Sequence, residues 1–300
     1  MSNVSLTKVK AENSSGTFRV LRQIIQSRTA LGAVIVLMIL VLAAIAAPLL
    51  SPQNPYDLMQ LDIMESRLPP GAEGFRVSTF WFGTDDQGRD LLSAILYGLR
   101  ISLFVGIVSA IISAIIGTCA GSVSGYAGGR LDATMMRLVD FQLSFPAILI
   151  ALVILATLGR SVTNVILALV IVEWASYARI ARAAALVESK KEYIESARCL
   201  ATPVPIIILK HLLPNCLPPI IVVGTIQVAR AISLEATLSF LGLGVPITEP
   251  SLGLLISNGY GYLFSGDYWL LLFPGLALAL IVVSVNLVGD RLRDVLNPRA

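Results

Sequence analysis

The sequence predicts an all-α membrane protein with six transmembrane helices. The first observation behind this prediction is composition: of 300 residues, 56% are hydrophobic and only 14% are charged, and the mean hydropathy is +0.81. Soluble domains carry about 25% charged residues. A soluble core of this size could not enclose so much apolar surface, so most of it must face lipid.

The second observation is the set of long apolar runs. A helix that crosses the hydrocarbon core needs roughly 20 mostly apolar residues. Six segments approach or meet this length: 31–50, 101–122, 141–158, 162–178, 217–234 and 268–288. The polar stretch before the first run, and the length of that run, are unlike a cleaved signal peptide.

The third observation is the distribution of Lys and Arg, which are enriched in cytoplasmic loops. Residues 1–28 hold five basic residues and one acid, and residues 179–215 hold six basic residues. Residues 51–97 hold seven acids and three arginines, and no Lys or Arg occurs between 231 and 290. We therefore expect both termini in the cytoplasm, with 51–97 and 236–267 outside.

These patterns divide the chain into consecutive segments. Within the core segment, residues 179–215 form the longest cytoplasmic loop. The expected segments are a cytoplasmic N-terminal tail (1–28), a first transmembrane helix (29–50), an external loop (51–97), a core of five transmembrane helices (98–290) and a cytoplasmic C-terminal tail (291–300).

The cytoplasmic loop contains the stretch "EYIESARCLATPVPIIILKHLLPN" (192–215), which predicts a short amphipathic helix. At 100° per residue, one side carries the polar positions Glu192, Glu195, Ser196, Arg198 and Cys199. The other side carries Tyr193, Ile194, Ala197, Leu200 and Ala201. Pro203 and Pro205 forbid continuation of this helix, and Pro214 predicts another break before the fifth span.

Two interpretations of this helix are open from the residues alone. It could be a solvated connector lying on the membrane surface. Against this, an anionic inner leaflet would repel the carboxylates on its polar side, and the loop is longer than a hairpin needs. A mixed-charge helix projecting into the cytoplasm suits docking to a soluble protein.

Several segments carry a family resemblance. Glu195-Ser196-Ala197, then Ala201, then Leu213-Pro214 resembles the "EAA" loop of ATP-binding-cassette (ABC) importer permeases, with Ser196 at the second position, Ala201 where the family has Gly, and His211 at a hydrophobic position. Further similar segments are "FGTDDQGRDLLSAILYGLRISLFVG" (82–106), "SGYAGGRLDATMMRLVD" (124–140), "LSFLGLG" (238–244), "FPGLALAL" (273–280) and "NLVGDRLRDVLNPR" (286–299). Together they resemble the C-type permease subunit of the dipeptide/oligopeptide/nickel branch.

This resemblance implies a type I ABC importer permease fold in a bacterial inner membrane. It implies that residues 192–201 form the coupling helix that docks on an ATPase subunit, with Glu195 as the acidic anchor and position 201 as the turn. Ala resists the positive φ that the family Gly permits. The implied partners are a second homologous permease, one or two ATP-binding subunits and an extracytoplasmic substrate-binding protein.

The sequence offers no catalytic constellation, and we expect neither enzymatic activity nor a cofactor. It has no phosphate-binding loop and no Gly-Lys pair, so ATP hydrolysis would need a separate subunit. The single His211 cannot form a metal site, and basic residues are too few for a nucleic-acid ligand. Cys119, Cys199 and Cys216 show no paired spacing, which predicts free, buried thiols.

Three ionisable residues interrupt the spans, where such groups usually face a bundle interior or a watery path. Glu173 is either such a group or an interfacial anchor near Trp174. Arg230 and Glu235 either border the translocation pathway or its gate, or form structural ion pairs with other helices. Their spacing of five positions does not stack them on one helix face.

Other functions remain as alternatives. An ATP-independent channel or ion-coupled carrier would string ionisable residues along several spans and lack a docking loop, and a scaffold would not need this loop. The external loop, with Phe75, Phe80, Trp81 and Phe82, packs on the membrane surface, contacts a binding protein, or does both. Peptides, nickel chelates, glutathione and some sugars all fit such a permease as substrates.

Overall fold

The computed structural model describes residues 27–57, 61–74 and 79–296. These residues form α-helices, two short 3-10 turns (Ile63–Glu65 and Leu263–Ser265) and no β-strand apart from two isolated bridges. In chain order the helices are α1 (Arg28–Ile45), α2 (Ala47–Leu50), α3 (Leu91–Ala127), α4 (Gly129–Leu143), α5 (Ala147–Leu158), α6 (Val162–Glu188), α7 (Glu192–Cys199), α8 (Val204–Phe240), α9 (Leu252–Gly261) and α10 (Trp269–Leu296).

Five of these helices, α1, α3, α6, α8 and α10, are long and apolar enough to cross a membrane. A sixth span is supplied if α4 and α5, which meet at an angle of 84°, count as one. This confirms the predicted all-α architecture, with five or six candidate spans. The helices extend beyond several predicted runs: α3 begins at Leu91, inside the expected external loop, and α10 continues to Leu296.

Two breaks and one continuation differ from the prediction. The third run is interrupted at residues 144–146, because Pro146 has no N–H to donate and restricts Phe145 before it. The first helix ends at Ile45, and the separate turn α2 begins at Ala47 with Pro48 as its second residue. The break predicted at Pro214 is wrong, since α8 passes through it just after π-helical turns over Ile207–Leu212, which locally rearrange the backbone hydrogen bonds.

Helices α3 and α6 approach each other closely. Gly117, Gly121 and Gly125 recur every four residues on α3 and lie against the backbone of α6. A Cβ atom at Gly121 would lie 2.2 Å from the carbonyl oxygen of Ala178. Small residues at this spacing let two membrane helices approach closely.

The external segment folds around a buried ion pair. The Arg89 Nε atom lies 2.6 Å from Asp85 Oδ2, and both side chains are almost fully buried. Asp90 caps α3 by accepting a hydrogen bond from the Ser93 N–H at 2.8 Å, and burial raises the pKa of Asp90. Phe80 is buried and Phe82 stacks on Phe273, whereas Trp81 is exposed and Phe75 lies outside the described residues. This segment therefore packs on one end of the bundle.

Candidate docking helix

Helix α7 has little intrinsic stability, because eight residues make barely two turns. Glu192 and Glu195 lie in its first turn and Arg198 in its last, which suits the helix dipole. Pro203 caps the start of α8 and Pro205 lies in its first turn, so the predicted end of the amphipathic helix before these prolines is confirmed.

Packing holds α7 against the bundle. Ile194 is fully buried and Ala197 nearly so. They share one apolar cluster with Tyr177 and other residues of α6, and with Ile207 and Leu212 of α8. Because these contacts reach both neighbouring helices, α7 is tied to α6 and α8.

Arg198 joins α7 to the end of α3. Its Nε atom donates a hydrogen bond to the Tyr126 hydroxyl at 3.3 Å, and its guanidinium lies 4.8 Å from the centre of the Tyr126 ring. Tyr126 belongs to the last turn of α3. Although the sequence grouped Arg198 with the outward-facing docking residues, its side chain contacts the chain itself and helps to orient the helix.

A polar cluster that the sequence reasoning missed fixes the entry to α7. Glu188, at the end of α6, binds Lys191 Nζ at 2.6 Å and accepts a hydrogen bond from the Tyr193 hydroxyl at 2.6 Å. Partial burial and this hydrogen bond raise the pKa of Tyr193. Glu188 lies four residues before Glu192, which is about one helical turn. This spacing places Glu188 on the same side as the acids of α7 and could have indicated its contact with Lys191 and Tyr193.

The outward side of α7 is an exposed groove, which we call the docking surface. Its residues are Glu192, Glu195, Ser196, Cys199 and Leu200. Leu200 is 80% exposed, so its predicted place on the apolar side is wrong. The helix ends at Cys199, and a repeat of 100° per residue no longer applies to the residue that caps it.

The three cysteines are free, as predicted, but only Cys216 is buried. Cys119 and Cys199 are exposed, contrary to prediction. Cys199 follows the polar repeat of α7 and therefore faces away from the cluster that anchors the helix.

Ala201 adopts the left-handed backbone conformation, with φ of 52°. The Ala201 N–H donates to the Arg198 carbonyl at 2.9 Å, and the Thr202 N–H donates to the Ala197 carbonyl at 3.1 Å. These two bonds form a Schellman motif, in which the left-handed position usually belongs to glycine. The chain therefore makes the glycine-type turn with alanine.

Replacing Ala201 by Gly is expected to stabilise this turn by about 1 kcal/mol, because Gly has no Cβ to strain at positive φ. The side chain is exposed, so no packing is lost. Hydrogen exchange of the α7 amides should slow in the Ala201→Gly variant. As a matched control, Ala183→Gly at an exposed position inside α6 should lower stability by about 1 kcal/mol; faster exchange in Ala201→Gly would contradict the expectation.

The ionisable residues of the spans occupy different environments. Glu235 is 0% exposed and accepts hydrogen bonds from Ser102 of α3 and from Ser239, each at 2.8 Å. Arg230 is exposed on α8 and does not pair with Glu235. Glu173 is 2% exposed and is enclosed by the helix bundle. Among the described residues, no group of three His, Cys, Asp or Glu could hold a metal ion.

The helical bundle, its apolar spans and helix α7 packed against its end define a multi-pass membrane protein. A family model described as "Binding-protein-dependent transport system inner membrane component" matches residues 117–300, and one described as "N-terminal TM domain of oligopeptide transport permease C" matches residues 17–70. The chain belongs to the family of binding-protein-dependent transport system inner membrane components. It is thus a permease subunit located in the inner membrane.

Relatives align over almost the whole chain. A dipeptide transport system permease protein DppC of Haemophilus influenzae is 38% identical over 91% of this chain and 92% of its own length. DppC of Bacillus subtilis is 35% identical over 99% of this chain and 90% of its own length. A putative peptide transport system permease protein of Brucella suis is 40% identical over 93% of this chain and 90% of its own length.

A solved structure shares the fold. A chain of the inward-facing MetNI methionine ABC transporter superposes with a TM-score of 0.56 at 23% identity, covering 68% of this chain and 97% of its own. This confirms the predicted importer-permease fold. The comparisons give no support to an ATP-independent channel or carrier.

Proposed function

We propose that this permease forms one half of the translocation pathway of an ATP-driven importer for di- or oligopeptides. The observation that carries the proposal is the docking surface, an exposed acidic groove on a helix that packing fixes to the bundle. The relatives named for peptide transport favour peptides over nickel chelates, glutathione or sugars as substrate.

In this proposal α7 docks on an ATP-binding subunit through Glu192, Glu195 and Ser196. Ala197 anchors the helix, Arg198 orients it and Ala201 closes it. Movement of the ATPase would be transmitted to α6 and α8, because both contact the buried side of α7. The absence of a phosphate-binding loop from the sequence requires that ATP be bound by another chain.

The proposed orientation places α7 and both termini in the cytoplasm. Tyr126, in the last turn of α3, touches α7, whereas Asp90 and the buried Asp85–Arg89 pair lie just before the first turn of the same helix. Helix α7 and the external segment are thus at opposite ends of α3, which has 37 residues. The distribution of basic residues assigns the α7 end to the cytoplasm.

Two further surfaces are assigned to partners. The exposed face of α8 that carries Arg230 would line the pathway shared with a second permease subunit, whereas the bonding of Glu235 favours a structural role. The external loop, with exposed Trp81 and Met64, would contact an extracytoplasmic substrate-binding protein.

The proposal is tested by purifying the tagged chain from its native membranes and reconstituting the isolated complex. An ATP-binding subunit and a second permease should co-purify. Proteoliposomes supplied with the matching binding protein should accumulate a labelled dipeptide only with hydrolysable ATP on the cytoplasmic side, and nickel chelates or glutathione should compete poorly. Accumulation without ATP, driven by an ion gradient, would contradict it.

A further inference from the structure

Glu173 lies deep in the bundle without a partner. Its side chain is 2% exposed, and neither carboxylate oxygen has a hydrogen-bond partner among the described residues. An ionised carboxylate is strongly unfavourable in such a place unless a counterion or several hydrogen-bond donors compensate it. The environment of Glu173 therefore needs an explanation beyond packing.

Three other buried polar groups near Glu173 are also unsatisfied. They are the Ser113 hydroxyl on α3, the Tyr177 hydroxyl on α6 and the Gln227 Nε2 atom on α8, each without a hydrogen-bond partner in the described part of the chain. Tyr177 lies one turn from Glu173 on the same helix. Buried polar groups are nearly always paired, so several unpaired ones in one region indicate an occupant.

The helix contacts place these groups at one level of the bundle. Gly117 of α3 lies against Trp174 and Tyr177, and Gly224 of α8 lies near the Tyr177 hydroxyl. Ser113 is about one turn before Gly117, and Gln227 about one turn beyond Gly224. Helix α3 runs parallel to α6, and α8 runs antiparallel to it. One turn back along α3 and one turn forward along α8 therefore both reach the level of Glu173 on α6.

No charged side chain among the described residues pairs directly with Glu173. Arg230 of α8 is the charged side chain that acts electrostatically on Glu173, but it is exposed and forms no ion pair with Glu173 within 4 Å. The acids of α4, Asp132 and Asp140, are bound to Arg182 and Arg179, roughly two turns or more further along α6. Helix α5 has no ionisable side chain, and Tyr177 is the remaining titratable neighbour on α6.

We propose that Glu173, Tyr177, Ser113 and Gln227 form an internal proton- and water-binding site between α3, α6 and α8. Glu173 holds the proton as a neutral carboxylic acid, which removes the need for a counterion. The hydroxyl of the protonated Glu173 carboxyl is then a hydrogen-bond donor. A bridging water accepts hydrogen bonds from this hydroxyl and from the Gln227 amide. Tyr177 belongs both to this site and to the cluster that anchors α7, so the two are contiguous.

Infrared spectroscopy of the purified full-length chain in an ester-free detergent tests the protonation directly. The wild type at neutral pH should show the carbonyl stretch of a protonated carboxylic acid, shifted by deuterium exchange, and Glu173→Gln should lose that band. Glu235 and Asp90 are further buried carboxyls, so Glu235→Gln and Asp90→Asn identify any band that belongs to them. Glu73→Gln, at an exposed acid, should leave the carboxylic acid region unchanged.

Glu173→Asp keeps the experiment informative if the Gln variant does not fold. This variant retains an acid in the same place and should shift the frequency of the band rather than remove it. A spectrum without a protonated-acid band assigned to Glu173, in which only ionised carboxylate absorption changes in these variants, would overturn the proposal. Neither result depends on transport, so the outcome is separate from that of the proposed function.

Discussion

Reversing the charge of Glu195 is expected to abolish transport and co-purification of the ATP-binding subunit. Glu195 is exposed at the centre of the docking surface and has no ion-pair partner among the described residues. A like charge set against a complementary interface costs several kcal/mol, so Glu195→Arg should weaken the complex on the order of 100-fold. The amount of ATPase retained on the tagged permease measures this directly.

The control for Glu195→Arg is the same charge reversal at Glu73, an exposed acid of the external segment. Glu73→Arg should insert, fold and retain the ATPase normally. Hydrogen exchange of the α7 amides should become only slightly faster in Glu195→Arg. The variant loses a favourable interaction with the helix dipole, worth about 0.3–1 kcal/mol, but its side chain contributes nothing to the cluster that anchors the helix. Normal ATPase retention and transport in Glu195→Arg would refute the docking role.

The architecture was predictable because its causes are local. Apolar runs of membrane length depend on composition along the chain, and they indicated the spans. The interruption at Pro146 was not predicted, although it could have been, since proline removes an N–H whatever its surroundings. Continuation through Pro214 could not have been predicted, because it depends on π-helical turns over Ile207–Leu212 that no propensity rule indicates.

Helix α7 was predicted in outline but not in its contacts. The alternation of Glu195 and Ser196 with Ile194 and Ala197 identified its two sides. Which neighbour Arg198 would contact could not be predicted, because Tyr126 is 72 positions away in the sequence and reaches it only through the fold. The conformation of Ala201 was likewise undetermined, since the strain at positive φ is tolerated when the surrounding structure imposes it.

Burial of ionisable groups was the least predictable feature. Glu173 and Arg230 both lie in apolar runs, yet the first is enclosed by the bundle and the second is exposed. A pattern of residues along one helix gives which side they share, but not what covers that side. By contrast, the four-residue spacing of Gly117, Gly121 and Gly125 is readable from sequence, and it indicates a close helix contact that our sequence reasoning overlooked.

The largest effect on stability is expected at Gly121, where α3 and α6 approach most closely. A Cβ atom there would lie 2.2 Å from the Ala178 carbonyl oxygen and 2.9 Å from Ala181 Cβ. The obstacle at Ala178 is backbone, which cannot rotate away as a flexible side chain could. Gly121→Val should therefore separate the two helices and destabilise the bundle by about 3 kcal/mol or more. Thermal unfolding of the purified chain in detergent should show a lower midpoint.

Gly32 of α1 provides the matched control, because it is also a helical glycine but has no atom within 4 Å of an added Cβ. Gly32→Ala should be neutral or should gain up to about 1 kcal/mol, since alanine favours helix over glycine. Gly121→Ala should already be destabilising, and the opposite signs of the two alanine variants would separate steric contact from helix propensity. Equal midpoints for Gly121→Val and wild type would contradict the close contact of α3 with α6.

Because Tyr177 and Ala181 of α6 anchor α7, separation of α3 from α6 should also weaken ATPase retention without any change to the docking surface.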